Sequence, residues 1–394
     1  MSVPLTEMTV AGIMSGTSAD GIDVAFTRIG PSPDDPAFPR LQLLAHAGFP
    51  FPPPLRRAVL GSMNADSIST AELARLNWRL GQAYAEALIA ARERHPCALD
   101  LIGCHGQTIY HQATPARYLG RVAACTWQIG EMAILAQQSG VPVVSNFRPA
   151  DMVAGGQGAP LVPLLDYVLF GHPMRGRVLQ NLGGIGNLTA LPPKATPTDV
   201  VAFDTGPGNM VIDQLMHQLF GKPFDREGKT GARGTVLQKV VSAKLHESFF
   251  RAHPPKTAGR EQFGGKYAAH FLAACRKAKG RPQDTIATAT ALTAQSVGLA
   301  YSTFLRPAMH QAPVDFIISG GGARNLTLMH MLRQQLEPQD CTVRASDDLG
   351  LPAEAKEAAA FALLAYETWH RRPGNIPSAT GAKRSVILGE ITYV

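Results

Sequence analysis

Apolar and polar positions change period repeatedly along this chain, and the changes predict an α/β protein. Alternating, β-branched runs at 9–14 and 22–29 read as strands joined by a short polar turn, and 41–51 reads as a third. A long segment of helical period follows at 70–95, with Ser69 and Glu72 at capping-box spacing. Short apolar runs at 99–106 and 141–146 fit buried strands. A Pro/Gly-rich stretch at 148–163 then reads as the crossing between two domains, 1–147 and 148–394, with the C-terminal segment able to return to the first. Beyond it, strands are expected at 178–182, 187–191 and 200–203, and helices at 209–220, 236–253, 266–279 and 284–305. A strand at 314–319, a helix ending near 336, a strand at 342–345 and a helix at 353–371 complete the series. Strands interleaved with helices in this way imply sheets under helical cover. No repeat of fixed period is visible.

Composition narrows the class. The chain has 394 residues, 45% of them apolar, so two domains with real cores are expected. No apolar run reaches the length of a membrane span, and the first seven residues lack the regions of a signal peptide. Five cysteines, odd in number and without CxxC or Cys/His spacing, suit free thiols in a reducing cytoplasm. The formal charge of +7 is scattered and lacks interleaved aromatics. That argues against nucleic acid and for a small anionic substrate and nucleotide.

The turn between the first two strand candidates carries the first chemistry. Ser15, Gly16, Thr17, Ser18, Ala19, Asp20, Gly21 and Ile22 form a small, hydroxyl-rich run inside the stretch from Gly12 to Asp23. Glycines let backbone approach a ligand, and free N–H groups and hydroxyls hold phosphate oxygens. A P-loop or dinucleotide fingerprint opens a helix after its glycines; this turn opens a strand. It reads as a phosphate-gripping β-hairpin, the device of the actin, hexokinase and Hsp70 superfamily. The plainer alternative is a surface hairpin in which Asp20 and Gly21 are only a turn pair.

Four further segments hold what a phosphotransferase needs. At 203–209 a strand ends in Asp204 and a glycine turn opens a helix, whose N-terminus takes up negative charge; the alternative is a helix-entry acid. At 317–325 the triplet Gly320, Gly321, Gly322, followed by Asn325, clears side chains from the seat of a flat ring. At 103–111, His105, Gln107 and Thr108 sit at a strand's C-terminal end, where α/β proteins collect ligands. The glycine-rich run at 155–161 fits a hinge or a substrate loop equally.

With the stretches 126–130, Phe147–Arg148, 155–163, 180–184, 259–261, 357–365, 373–375 and 380–382, these segments make a recognisable set. The chain resembles the anhydro-N-acetylmuramic acid kinases of bacterial cell-wall recycling over nearly its whole length. The resemblance implies a two-lobed, actin-like (ribonuclease H-like) ATPase and sugar-kinase fold with ATP and sugar in the interlobe cleft. It implies a reaction that uses ATP, Mg²⁺ and water to open the 1,6-anhydro ring and phosphorylate O6, giving N-acetylmuramic acid 6-phosphate. By the same resemblance Asp204 is the catalytic aspartate and residues 15–22 cradle the β- and γ-phosphates. Gly320, Gly321, Gly322 and Asn325 border the adenosine, and His105, Gln107, Gln128, Arg148 and Glu357 line the sugar pocket. A cytoplasmic homodimer without nucleic-acid or membrane partners is implied as well.

Three departures from the family pattern stand out. Asn146, Pro149 and Ala150 replace an acid and two arginines beside the expected pocket. Thr257 and Ala258 carry one hydroxyl fewer than the Ser-Thr of relatives. Met14 stands where the wider superfamily keeps an aspartate for the metal, which leaves Asp20, Asp23, Asp204 or water to coordinate Mg²⁺. The alternatives are a same-fold kinase of another sugar and a non-enzymatic ATP clamp.

Overall fold

The computed structural model describes residues 5–33, 38–345 and 352–394. The chain divides into two compact units, Met1–Leu169 with Glu354–Val394, and Phe170–Ala353.

In the first unit, β1 (Met8–Ser15), β2 (Gly21–Pro31) and β3 (Pro39–Pro50) form an antiparallel meander. The strand β4 (Leu101–Tyr118) joins β1 in parallel. Its far end turns back on β5 (Arg121–Ile129) as a hairpin, and β6 (Val143–Ser145) pairs in parallel on β4's other edge. The short terminal strand Glu390–Thr392 closes the β6 edge in antiparallel. Alternation along β1 gives the sheet two apolar faces. Ala11 and Ile13 face the helix Thr70–Arg94, which buries Leu76, Leu80, Tyr84 and Leu88 at helical spacing. Gly12 and Gly103 point the other way, against the helix Lys356–Trp369. A methyl on Gly12 would collide with the carbonyl of Ala358, and one on Gly103 with that of Phe361. Helix and sheet therefore meet backbone to backbone, an approach only glycine permits.

The second unit repeats the plan. Its meander is β7 (Gly176–Leu182), β8 (Ile185–Leu191) and β9 (Val201–Pro207), and β10 (Val314–Ser319) and β11 (Cys341–Ala345) extend it in parallel beside β7. The order β9-β8-β7-β10-β11 matches β3-β2-β1-β4-β6 strand for strand. A three-stranded meander continued by two parallel strands is the ribonuclease H-like plan of the actin-like fold. The buried helix Pro282–Ala300 packs on this sheet, its threonines donating to backbone carbonyls.

Several expectations are corrected. The Pro/Gly-rich stretch at 148–163, expected as the crossing that divides 1–147 from 148–394, lies wholly within the first unit, because buried hydrogen bonds tie 151–158 to 375–383. The helix expected at 236–253 is two, Gln238–Leu245 and Ser248–Arg251, since Glu247 takes an extended conformation that turns Phe249 and Phe250 into the core. The helix expected at 284–305 gives way to a wider π turn at Tyr301–Leu305. The β4–β5 hairpin carries no local turn signal, because Leu119 (φ 46°) and Gly120 (φ 81°) make its turn without an Asn-Gly or Asp-Gly pair.

Candidate functional site

The hairpin between β1 and β2 is anchored from inside the first unit. Ser15 is buried, its hydroxyl 2.8 Å from Tyr84 Oη and donating to Gly106 O at 3.2 Å. The turn closes with Ala19 N donating to Gly16 O (3.1 Å), and Gln107 Nε2 donates to the same carbonyl at 3.2 Å. Arg56 braces the tip, giving Nε to Ala19 O and Nη2 to Asp20 Oδ1. Ala19 and Ile22 are core, whereas Thr17, Ser18 and Asp20 are exposed. The eight expected phosphate residues thus divide into an inner anchor and an outer face of two hydroxyls and the Gly16–Ser18 backbone.

The same anchor runs on to the expected sugar residues. Gly106 O also meets His105 Nδ1 at 2.7 Å, and Arg148 Nε donates to His105 Nε2 at 2.9 Å. Burial, helped by the Arg148 charge, drives the His105 pKa well below its usual value, so the ring is neutral. Because Nε2 accepts, the single ring proton sits on Nδ1 and is donated to Gly106 O. Arg148 Nη1 donates to Gly158 O at 2.7 Å. Burial lowers the Arg148 pKa to about 10, with the charges of Glu357 and Asp151 opposing it. Part of the Glu357 side chain reaches the surface, but desolvation of its carboxyl by the surrounding protein raises its pKa, with Arg148 opposing and Asp23 adding.

Two glutamines leave buried acceptors unused. Gln107 spends its amide N–H groups on Gly16 O and Thr108 O, and Gln128 spends its own on Thr108 Oγ1 and Thr126 Oγ1. Oε1 of each is buried without a donor. Such an oxygen costs about 1–3 kcal/mol until a hydroxyl, an amide N–H or a water reaches it.

In the second unit Asp204 lies on β9 opposite Asn187, beside an irregularity in β8. Its backbone N donates to Lys256 O (3.0 Å), and its Oδ2 accepts from Ala258 N (2.7 Å). Burial raises its pKa to about 6, with the Ala258 N–H and the Lys256 charge opposing. Lys256 is buried too. Its ammonium donates to Phe249 O and Phe250 O and sits 4.8–5.6 Å from the ring centres of Phe304, Phe249 and Phe203. Burial brings it down to about 8 while Asp204 pulls it up. A carboxyl near 6 can take up and return a proton at neutral pH.

Gly320, Gly321 and Gly322 lie against Asn181, Leu182 and Asn209, and Asn209 Nδ2 donates to Leu182 O at 3.0 Å. Asn325 is buried, with its Oδ1 capping the helix Leu326–Leu336 at Leu328 N. Its side chain is therefore committed to the fold. Asn181 and Asn209 fall in stretches that carry the resemblance, 180–184 and 203–209, whereas Lys256 lies three residues before the stretch 259–261; none of the three takes a role from sequence.

The chain matches the family described as anhydro-N-acetylmuramic acid kinase over residues 8–394. The anhydro-N-acetylmuramic acid kinase of Bacillus cereus (strain AH187) is 42% identical over 389 residues, 98% of this chain and 99% of that protein. Its counterpart in Bacillus thuringiensis subsp. konkukian (strain 97-27) is 41% identical over 389 residues, with the same coverage.

Proposed function

Because this chain belongs to the anhydro-N-acetylmuramic acid kinase family, we infer that it opens 1,6-anhydro-N-acetylmuramic acid and phosphorylates the freed O6 from ATP, in cell-wall recycling. The observation that carries this reading is the family match from residue 8 to the last residue.

The chemistry assigns the roles. O6 of the anhydro sugar is bound to C1 and carries no proton, so water attacks C1, the C1–O6 bond breaks, and O6 takes the γ-phosphoryl group as ADP leaves. The attacking water must lose a proton, and Asp204, raised towards 6 and backed by Ala258 N–H, suits that base. Phosphoryl transfer otherwise needs positioning and neutralised charge. Gly16 to Ser18 would hold phosphate oxygens, with the buried Ser15 and Ile22 anchoring them. Gly320 to Gly322, packed against Asn181, Leu182 and Asn209, would border the adenosine. The orphaned Oε1 atoms of Gln107 and Gln128 would accept from sugar hydroxyls or the acetamido N–H. Arg148, its guanidinium held by His105 and Gly158, suits the lactyl carboxylate, and Glu357 completes the group.

Magnesium would neutralise charge on the ATP phosphates. Among the described residues no three His, Cys, Asp or Glu side chains converge on a metal. Asp20 is paired with Arg56 and Asp23 with His46, so the hairpin carboxylates make no ready-built cation site. A cytoplasmic homodimer belongs to the same proposal, and the free state of all five thiols suits a reducing compartment.

The test is ADP release with Mg-ATP and the anhydro sugar in ¹⁸O-water. The expected result is turnover with this sugar and not with N-acetylmuramic acid or N-acetylglucosamine, and one heavy oxygen in the product. Turnover with another sugar alone would point instead to Pro149 and Ala150. The absence of any sugar-dependent turnover would favour a clamp.

A further inference from the structure

The tail stretch 373–382 has received no part in the chemistry, yet it supports the sugar-side arginine. Asp151, fully buried in the helix Arg148–Val153, accepts at Oδ1 from Thr380 Oγ1 (2.7 Å) and Asn375 Nδ2 (2.8 Å). Its Oδ2 accepts from Gly158 N at 2.8 Å, and Gly158 O accepts in turn from Arg148 Nη1 at 2.7 Å. Backbone bonds run alongside, from Gln157 N to Thr380 O and from Lys383 N to Ala154 O. Asn375 is itself fixed by Val386 N and Arg384 O. Thr380 is thus linked to Arg148 through one carboxylate and one peptide. With Nε on His105 and Nη1 on Gly158, the plane of the guanidinium is set.

We propose that Thr380 is a positioning residue for Arg148, its hydroxyl holding Asp151 so that the Gly158 carbonyl fixes the arginine fork for an acidic sugar. A planar fork recognises a carboxylate well only in a fixed orientation, and a loop of four residues with three glycines does not hold one unaided. The proposal rests on the reading that Arg148 meets the sugar, and the variants below separate the two.

Michaelis constants for the anhydro sugar and for ATP are measured in Thr380→Val, Thr380→Ser, Arg148→Ala and the double variant Thr380→Val with Arg148→Ala. Losing a hydrogen bond to a charged group raises the sugar constant roughly threefold to tenfold in Thr380→Val. The ATP constant and kcat stay at wild-type values, and Thr380→Ser restores the sugar constant. Once Arg148 is gone, Thr380→Val adds nothing, because coupled residues do not act additively. A sugar constant unmoved in Thr380→Val but raised in Arg148→Ala overturns the proposal alone. So does an equal rise in both constants, or a full added effect in the double variant. A sugar constant unmoved in Arg148→Ala overturns the reading of Arg148, and the proposal with it. Thr380→Ala carries the same comparison where the valine methyl does not fit.

Discussion

Arg148 Nε lies 2.9 Å from His105 Nε2, so the arginine can bond there only while that nitrogen is unprotonated. Protonating the ring would place two cations in contact inside the first unit. The His105 pKa is accordingly held well below 6.5, chiefly by burial.

A stability consequence follows. Well above pH 6.5 His105 is neutral in both folded and unfolded chains and contributes no slope. Below it the unfolded chain binds a proton that the folded chain refuses, so stability falls with pH, by up to about 1.4 kcal/mol per unit for this one group. His105→Asn removes the term. Urea unfolding from pH 7 to pH 5 should show wild type losing more stability than His105→Asn over that range. Parallel losses would mean that His105 takes its proton freely in the fold.

Asp204 sets the pH dependence of activity, and it too weakens towards acid. Its carboxyl is raised to about 6, and the ionised form is the base. The rate kcat/KM should fall as pH drops through about 6 and level off above it. Asp204→Asn should lower kcat by about 10²- to 10⁴-fold, the usual worth of a general base, with both Michaelis constants near wild type. A variant that keeps wild-type turnover removes Asp204 from the chemistry.

Lys256 sets where that acid limb falls. Its ammonium is enclosed by three phenyl faces and two carbonyls, and its charge opposes the rise at Asp204. Lys256→Met should move the limb upwards by about one pH unit, so that rate lost at pH 6.5 returns by pH 8. Lys256→Arg, which keeps the charge, should leave the limb in place. A limb that stays put in Lys256→Met, with only the melting temperature lowered, would make this lysine purely structural.

Much of this was legible in the sequence, for physical reasons that also mark the limit. Most strands of both meanders declare themselves as short apolar, β-branched runs bounded by turn residues, the mark of strands buried on both faces, and Ser69 declares its helix by accepting from Glu72 N at 3.1 Å. The edge of the first unit did not, because Asp151 meets Thr380 across 229 positions, and no local pattern encodes such a bond. Lys256 is hidden for the same reason. Fifty-two positions separate it from Asp204, and a lone lysine in sequence is far more often solvated than caged. Local chemistry named the hairpin, but not that Ser15 would turn its hydroxyl inward to Tyr84.

Gly12 tests the packing that carries the hairpin strand. A methyl there meets the Ala358 carbonyl and the backbone N of Ala362, neither of which can rotate away. Gly12→Ala must therefore push the helix Lys356–Trp369 off β1, and overpacking of that kind costs about 1–3 kcal/mol or more. Gly61, near the end of the helix Pro53–Ser62, has nothing within 4 Å of the same added methyl. Gly61→Ala should raise stability by about 0.5–1 kcal/mol through helix propensity alone. Thermal unfolding of the two variants should thus move in opposite directions from wild type. If Gly12→Ala melts with wild type, helix and sheet do not meet backbone to backbone, and the seat of Glu357 beside Arg148 is set by something other than this contact.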